Sequence, residues 1–547
     1  MAEAAGNDGL VRAGEDAPAL ITWWRSNTWR AAMLAIIVCV VAALWSSGHG
    51  LMTLYADARS HLTISRRLVD GPNQGVVQLG TVWLPLPHLL LVPTVMVKSW
   101  WHSGWAVVPL NALCLAAQAT AIFKMAAHRW NSRVAWMCTA LLLSSASLLY
   151  VHTTAFTEPV LLAAVTVTIA GLYRWSTATK AYSGGEMAIF CGVPAAAGVL
   201  ARYDGWAIAV ACAVCVWWVA WRRWRDRRYA WKMVGGFLAL PMAAAAWWCW
   251  FNWVHFGDPF EFQRGRYSAQ AQQEVLDAAG KLPDSGNLTR SISTYLDAVV
   301  EAVGWVPLVV AVVGLAVFAV QWAKGSRRAA DAWVFLLLLV PFAFYIWSLF
   351  SGQIAVRTVS TATSSLFNIR YGLAVLPGLV LLAAPLFDAI VQRCRQLSLS
   401  AVALPAVAVL VLAGGSLVEM VAAPGWRSLP VIAEGLEQRS AGTQQYAAIA
   451  WMRSNADTGR IMIDDSINPM LPVLDADLHR VIAPFSTDWP DAQQDVTIAE
   501  WLFVDLQNPD DEVAAAVAAA DGFEQQFEVA YSLDAVVVYH RKATDEG

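Results

Sequence analysis

Charge is scarce in this 547-residue chain: 14% of its residues are Asp, Glu, Lys or Arg, whereas 58% are hydrophobic. Such a balance argues against an ordinary water-soluble protein and indicates several membrane spans, each of which takes roughly 20 mostly apolar residues. Walker A, GxGxxG and GxSxG motifs are also missing. The sequence therefore gives no support for cytosolic ATP as an energy source or for a serine nucleophile.

Cysteine is missing from every segment that is assigned to the external side below. The eight cysteines lie in apolar segments or, for Cys394, in a turn assigned to the cytoplasm. One CxxC spacing occurs, from Cys212 to Cys215, but it lies inside an apolar segment, and no His/Cys metal spacing occurs. We therefore expect the external parts to fold without disulfides, and we expect no cysteine-based metal centre.

Eleven apolar segments can be interpreted as membrane spans. Several of the 29 Trp residues lie beside their ends, as in the aromatic belts of membrane helices. The sequence thus predicts an α-helical polytopic membrane protein with about 11 transmembrane helices. The predicted spans are 30–48, 105–125, 134–151, 157–174, 186–201, 205–221, 233–252, 301–322, 332–350, 371–390 and 399–421.

The turns between these spans carry Lys and Arg on alternate sides of the membrane. With the segment 1–29 in the cytoplasm, the basic turns, including the one at 222–232, are all cytoplasmic, as the positive-inside rule requires. That turn could also bind nucleic acid or anionic lipid, but topology is the simpler explanation, and we expect no nucleic-acid partner. The prediction is a multi-pass cell-membrane protein with a transmembrane domain over 30–423.

The apolar stretch 81–97 does not fit this count, because a span there would turn every later basic loop outward. It contains Pro85, Pro87, His88 and Pro93. We therefore predict a juxtamembrane or re-entrant segment. Irregular backbone at membrane depth is tolerated only against protein or a wet cavity, so this segment places a cavity beside the first external loop.

The tail 424–547 differs from the rest of the chain. It holds 7 basic and 21 acidic residues, a charge of −14, which leaves +10 for the remainder. Short apolar runs alternate with helical patterns, which predicts a small soluble α/β domain on the extracytoplasmic side. The predicted helices are 443–454 and 512–520, and the predicted strands are 460–463, 480–483, 501–504, 527–530 and 535–539.

Ionisable groups recur at the external ends of the predicted spans, where they are costly to place and therefore indicate function. Asp57 follows the first span and could act as a general base or bind a divalent cation. Glu158 begins a span and could be a second active-site carboxylate, or an acid that is favoured by the helix dipole. Arg202 and Arg370 could hold a phosphate; alternatively, Arg202 pairs with Asp204, and Arg370 anchors a helix end.

Two further external segments are candidates for substrate contact. A helix over 57–68 would bring Arg59, Arg66 and Arg67 to one side, although solvated charges on a juxtamembrane helix are the plainer interpretation. The loop 253–300 is a long external insertion, and long ordered loops are often lids or binding loops.

With these motifs in order, the chain resembles the GT-C superfamily of polytopic glycosyltransferases. The resemblance is to the bacterial branch similar to protein O-mannosyltransferases and to the aminoarabinose transferase of lipid A. It covers about 30–420 and is carried by the order and shared side of the motifs, not by any single one. The matching segments are DARSHL at 57–62, QLGTVWLPLPH at 78–88, TEP at 157–159, RYDGW at 202–206, FGDP at 256–259 and NIRYG at 368–372.

The resemblance implies transfer of a sugar from a polyprenyl-phosphate donor, presented by membrane lipid, to an external acceptor, which could be a glycan, a lipid or a protein. It implies Asp57 as a catalytic residue, with Glu158 beside it. The substrate-binding residues by position are Arg59, His61, His88, Arg202, Asp204, Arg370 and Tyr371.

Two questions stay open after the resemblance. Members differ in metal dependence, so no cofactor is certain, and a divalent metal on Asp57 and Glu158 is possible. The eukaryotic mannosyltransferases carry an Asp-Glu pair where this chain has Asp57-Ala58, so their acceptor cannot be transferred to it. The alternative function is a polytopic transporter or lipid flippase. No inverted repeat is obvious, and the polar groups cluster at one surface instead of mid-membrane.

Overall fold

The computed structural model describes residues 27–266, 268–278, 280, 282–324, 333–361, 365–397, 407, 411, 414–415 and 426–543. Most of the predicted N-terminal segment and most of the span predicted at 399–421 lie outside these residues. The described part is a helical membrane domain followed by a small α/β domain, as the sequence predicts.

Seven of the described helices are long and apolar enough to cross a membrane. Four further apolar helices are shorter. Each of the first ten predicted spans coincides with one of these eleven helices. The long helices are α1 (Asn27–Gly48), α5 (Val108–Arg129), α8 (Glu158–Thr177), α10 (Asp204–Trp224), α11 (Arg227–Phe256), α15 (Trp305–Ala323) and α17 (Leu376–Gln396).

The shorter apolar helices and the external helices fill the spaces between these spans. A π-helical turn at Ala188–Gly192 interrupts α9. The helices are α2 (Ala56–Arg67), α3 (Leu86–Val95), α4 (Lys98–Ser103), α6 (Ser132–Leu143), α7 (Ala146–Val151), α9 (Gly184–Val199), α12 (Glu261–Arg264), α13 (Ala269–Ala278), α14 (Leu288–Val303) and α16 (Val340–Phe350).

Local sequence explains where two predicted spans are interrupted. The span predicted at 134–151 is two helices, because the Ser145 side chain accepts a hydrogen bond from the Leu148 N–H and thereby begins a new helix. The span predicted at 301–322 begins late, because Gly304 has φ 85° and separates α14 from α15. The proline-containing segment forms only the ten-residue helix α3; at about 1.5 Å per residue, this helix is too short to cross a bilayer.

The C-terminal domain contains a five-stranded sheet in the order β2-β1-β3-β5-β4. Strands β1 (Ile461–Met462), β2 (Val481–Ile482) and β3 (Trp501–Asp505) are parallel to one another, whereas β4 (Phe527–Leu533) and β5 (Val536–Arg541) are added antiparallel. All five match the predicted strands. The helices are α18 (Pro430–Ala441), α19 (Thr443–Asn455), α20 (Leu471–Leu474), α21 (Trp489–Gln494), α22 (Glu512–Ala519) and α23 (Phe523–Gln526).

Short 3-10 turns complete the backbone. They lie at Val76–Leu79, Trp105–Val107, Trp333–Leu339, Ile369–Val375, Trp426–Ser428, Leu478–Arg480 and Val496–Ile498.

Buried polar contacts join the C-terminal domain to the first external loop. The Arg59 guanidinium donates from Nε to the Pro469 carbonyl at 2.8 Å and from Nη1 to the Tyr446 hydroxyl at 2.7 Å. The Tyr55 hydroxyl donates to the Val431 carbonyl. The C-terminal domain therefore packs directly on α2, the helix that carries Asp57.

Candidate active site

The beginnings of three membrane helices meet the first external loop at one place. Glu158 is the first residue of α8 and Asp204 is the first residue of α10. Arg370 lies in the 3-10 turn that leads into α17, and Asp57 lies in the first turn of α2. A helix N-terminus stabilises a nearby acid, and the four residues lie close enough to form one ionic network.

Arg370 is the centre of this network. It donates from Nη2 to Oδ2 of Asp57 at 2.5 Å and from Nε to Oε1 of Glu158 at 3.0 Å. Its Nη1 lies 3.5 Å from Oε1 of Glu434. The Arg370 side chain is 4% exposed, whereas that of Asp57 is 43% exposed. Asp57 is therefore the most accessible carboxylate of the network, and Arg370 contacts it from the buried side.

Arg202 approaches the same network from the turn before α10. Its Nη1 lies 3.1 Å from Oε1 of Glu158, and its Nε lies 3.3 Å from Oδ1 of Asp204. Nη1 also donates to the Thr157 hydroxyl at 3.1 Å, and Nη2 donates to the Tyr345 hydroxyl at 3.4 Å. The pairing of Arg202 with Asp204 is thus present, and it exists together with the contact to Glu158.

Both guanidinium groups converge on one oxygen, Oε1 of Glu158, at 3.1 Å from Arg202 and 3.0 Å from Arg370. Two arginines from the turns before α10 and α17 therefore approach one point, which Glu158 occupies. Guanidinium groups match the oxygens of carboxylate and phosphate in the same way. Glu158 accordingly occupies the kind of position at which a second anion could be bound.

Aromatic rings surround the two arginines. The Tyr371 ring lies under both guanidinium groups, 5.0 Å from Arg202 and 5.3 Å from Arg370. The Phe156 ring lies 4.5 Å from Arg370 on the other side. Tyr345 stacks on Tyr371 at 5.1 Å and donates its hydroxyl hydrogen bond to Asp204 Oδ2 at 2.7 Å. These rings fix the guanidinium planes and exclude water from them, which strengthens their electrostatic effect.

Glu434 is a site residue that the sequence analysis missed. It belongs to α18 of the C-terminal domain and is fully buried. Its carboxylate accepts hydrogen bonds from the backbone N–H groups of Asn368 at 2.9 Å and Ile369 at 3.2 Å, directly before Arg370. Burial raises the pKa of Glu434, while the nearby Arg370 opposes that shift. The only available signal was an acid within an apolar run, VIAEGL at 431–436.

The predicted site residues His61 and His88 form a buried pair beside this network. His61 Nδ1 lies 2.8 Å from His88 Nε2, and His88 Nδ1 lies 3.1 Å from the Leu84 carbonyl oxygen. Burial lowers the pKa of His61 to about 3, with Glu158 acting in the opposite direction. His61 is therefore neutral over the whole physiological range.

Arg59 was predicted to bind substrate, and in the structure its guanidinium lies between α2 and the C-terminal domain. Beyond its bonds to Pro469 and Tyr446, Nη1 donates to the carbonyls of Thr53 at 2.9 Å and Leu54 at 2.8 Å. It also lies two residues after Asp57, about 200° around the helix, and therefore faces away from the ionic network. Arg59 thus joins the two domains, and its contact with substrate stays a prediction.

The space between Asp57 and Glu158 does not fit a metal ion, because the Arg370 guanidinium already bridges the two carboxylates. Among the described residues, the only group of three possible metal ligands lies elsewhere. It consists of Asp70 at the end of the first external helix and Asp477 and His479 of the C-terminal domain. Two of its members are exposed, and Asp70 is already paired with Arg66.

Comparison with known proteins finds a likeness only among solved structures. No protein-family model matches the chain, and no curated protein matches it. The oligosaccharyltransferase of Archaeoglobus fulgidus in its apo form overlaps 89% of this chain and 70% of its own at 12% identity and a TM-score of 0.46. Its complex with an inhibitory peptide and a dolichol-phosphate overlaps 97% and 75% at 13% identity and a TM-score of 0.44.

The same enzyme tethered with an acceptor peptide overlaps 95% of this chain and 75% of its own, at 12% identity and a TM-score of 0.42. A TM-score below 0.5 does not by itself establish a shared fold, so the function has to be argued from the ionic network of Asp57, Glu158, Arg202 and Arg370.

Proposed function

We propose that the protein is an integral-membrane glycosyltransferase that moves a sugar from a polyprenyl-phosphate donor to an acceptor on the external face of the cell membrane. One observation supports this best: buried Arg370 and half-buried Arg202 converge on one point beside Asp57, a carboxylate that is partly exposed. The arginines provide the site for a phosphate, and the carboxylate provides a base for an incoming nucleophile.

The reaction follows from these positions. An acceptor hydroxyl attacks the anomeric carbon of the donor, and its proton passes to Asp57. The bond between that carbon and the phosphate oxygen breaks, and the polyprenyl phosphate leaves as an anion. Arg202 and Arg370 stabilise the charge that develops on the leaving oxygen, inside a cage of aromatic rings where such stabilisation is strongest.

Arg370 couples donor binding to activation of the base. Without donor, its Nη2 donates to Oδ2 of Asp57. The arriving phosphate competes with this carboxylate for the same donor group, because a guanidinium binds both kinds of anion. Binding of the phosphate at Nη2 frees Asp57 Oδ2 for the acceptor proton. The donor therefore binds first and the acceptor second.

The location of the reaction rests on the arrangement of charge along the chain. The four ionic residues lie at the ends of membrane helices opposite the basic turn at 222–232. In this scheme the C-terminal domain is extracytoplasmic and covers the site through Glu434. Lipid reaches the site from the bilayer, and the acceptor glycan, lipid or protein arrives from outside.

The experiment uses the full-length protein in lipid nanodiscs with a set of polyprenyl-phosphate sugars and a crude envelope acceptor fraction. We expect one donor to be converted into free polyprenyl phosphate, which mass spectrometry detects, and Asp57→Asn to abolish the release. A transporter or flippase would move the lipid across a vesicle membrane without breaking the bond to phosphate. Translocation without any release of polyprenyl phosphate would overturn the proposal.

A further inference from the structure

The positions of the protons on the two buried histidines follow from their partners. His88 Nδ1 lies 3.1 Å from the Leu84 carbonyl oxygen, and a carbonyl oxygen can only accept a hydrogen bond. The Nδ1 atom of His88 must therefore carry the proton. Since burial lowers the pKa of His88 well below its usual value, the ring is neutral and its Nε2 is an acceptor.

This arrangement determines the tautomer of the second ring. His61 Nδ1 lies 2.8 Å from His88 Nε2 and has to donate to it. The neutral His61 ring then carries its only N–H on Nδ1, and its Nε2 presents a lone pair. No hydrogen bond joins this Nε2 to any residue that the structure describes. The histidine pair thus ends in a fixed, vacant hydrogen-bond acceptor.

The vacant acceptor lies near the proposed base and close enough to Glu158, Arg202 and Arg370 for their charges to act on the His61 ring. His61 follows Asp57 by four residues in α2, so both side chains lie on the same face, about 6 Å apart along the helix. The Trp83 ring lies 4.4 Å from the His61 ring. On the other side of Trp83, the Tyr203 hydroxyl donates to the Val82 carbonyl at 3.0 Å, which holds this loop beside Arg202.

We propose that His61 and Trp83 form the donor-sugar subsite, in which His61 Nε2 accepts a hydrogen bond from one sugar hydroxyl and the Trp83 indole packs on the C–H face of the ring. This inference rests on the proposed function and deepens it. Half-buried Trp83 contacts His61, and half-buried Asp57 lies one helical turn before it, so a sugar held there lies beside the proposed base.

The chemistry of His61 Nε2, as a hydrogen-bond acceptor, decides which groups it can bind. An unprotonated ring nitrogen repels the oxygens of a phosphate or carboxylate, because neither side carries a hydrogen. It attracts O–H and N–H donors, and a sugar supplies several hydroxyls. A donor that lacks the hydroxyl facing His61 leaves a buried acceptor without a partner, which is a costly state. The subsite therefore selects sugars by one hydroxyl near the anomeric centre.

Deoxy donors test the subsite. The wild-type protein is assayed with the parent sugar donor and with a series of monodeoxy analogues on the same lipid. We expect one analogue to lose about tenfold or more in kcat/KM. In His61→Phe, which retains a ring of similar size, parent and analogue should react equally. The matched control is His128→Phe, in which the replaced ring lies against Tyr173 at the other end of α5. This variant should lose as much kcat/KM on the analogue as the wild-type protein does.

The subsite would be overturned if His61→Phe lost as much kcat/KM on the analogue as the wild-type protein does. It would also be overturned if the wild-type protein used every deoxy donor equally well. A second measurement needs no variant. Nitrogen-15 spectra of histidine-labelled protein in lipid bilayers should show two neutral rings, both protonated at Nδ1 and correlated with each other. The free Nε2 should shift when donor lipid is added.

Two outcomes of the nitrogen-15 experiment separate the two proposals. A His61 ring protonated at Nε2 would refute the subsite even if transfer occurs. A donor-dependent shift of that nitrogen without any turnover would refute the transferase and leave the sugar subsite standing.

Discussion

Glu434 Oε1 lies 3.5 Å from Nη1 of Arg370, although Glu434 belongs to the C-terminal domain and Arg370 begins a membrane helix. The same carboxylate accepts the backbone N–H groups of the two residues before Arg370. The soluble domain thus orients an arginine of the membrane domain. Without this domain, the ionic network would lose a carboxylate and a backbone anchor.

Glu434→Gln should weaken use of the donor. A glutamine keeps the size but has one acceptor oxygen for two backbone N–H groups, and its amide N–H₂ would face one of them. Leaving a buried N–H without a partner costs about 1–3 kcal/mol, which is enough to displace the segment that carries Arg370. We expect a rise in donor KM of about tenfold, measured by donor titration in nanodiscs.

The matched control for this variant is Glu437→Gln, one helical turn later. Glu437 is exposed and accepts the Leu366 N–H at 2.8 Å, so it makes the same kind of bond, whereas the carboxylates paired with Arg370 are those of Asp57, Glu158 and Glu434. It should keep donor KM close to that of the wild type. Equal effects of the two substitutions would show that α18 acts only by holding the domain in place.

The sequence could predict most of the ionic network because each of its members begins or follows an apolar span. The change from apolar to charged residues marks Asp57, Glu158, Arg202 and Arg370 without any knowledge of their contacts. No such change from an apolar span to charged residues occurs at Glu434, because it lies in a helix of the C-terminal domain, where acids are ordinarily solvated. Its burial depends on Tyr55, which packs so close to α18 that a Cβ on Gly435 would lie 2.8 Å from that ring.

Arg59 shows the opposite limit. The sequence could not predict its bonds to Pro469 and Tyr446 of the C-terminal domain, because side chains two positions apart on a helix point in nearly opposite directions. Which of these two faces meets the active site depends on how the C-terminal domain docks, and that packing joins residues about 400 positions apart. Sequence periodicity carries no information about such long-range docking.

Asp57→Asn should abolish transfer while the protein remains folded. The amide cannot accept the acceptor proton, and loss of a general base costs about a hundredfold to ten-thousandfold in rate. Single-turnover release of polyprenyl phosphate measures the step directly. Asp521→Asn, on the exposed surface of the C-terminal domain, is the control. Near-normal turnover by folded Asp57→Asn would exclude this residue as the base.

Lysine in place of either Arg202 or Arg370 should weaken donor binding. Lysine keeps the charge but loses the planar fork that lets one guanidinium contact Glu158 and a second group together. We expect a higher donor KM in both variants and normal folding by size-exclusion chromatography. Arg453→Lys, at an exposed pair with Asp475, serves as control. Unchanged donor dependence in both site variants would contradict the phosphate site.

The proposed topology predicts the accessibility of engineered cysteines. On a background without the eight native cysteines, Asp521→Cys in the C-terminal domain should react with an impermeant maleimide added to intact cells. Arg225→Cys in the basic turn should react only after the membrane is opened. The reverse pattern would overturn the orientation and, with it, the external placement of the active site.

Asp465 should make the stability of the protein fall as the pH rises. This residue is buried in the C-terminal domain, and burial raises its pKa from the usual 3.8 to about 8, although Arg67 opposes the shift. Between about pH 4 and pH 8, the folded protein therefore retains a proton that the unfolded chain has released. Stability is highest below the unfolded pKa and declines until the pH passes the folded one.

Asp465→Asn removes this titration and keeps a neutral side chain of the same shape. The apparent melting temperature of the wild-type protein in detergent should fall between pH 5 and pH 8, and Asp465→Asn should flatten that decline. Asp510→Asn, which changes an exposed carboxylate of the same domain, should leave the fall in melting temperature with pH unchanged. The substitution should also raise stability at pH 8, where the buried wild-type carboxylate has to ionise. An unaltered slope in Asp465→Asn would mean that another group causes the pH dependence.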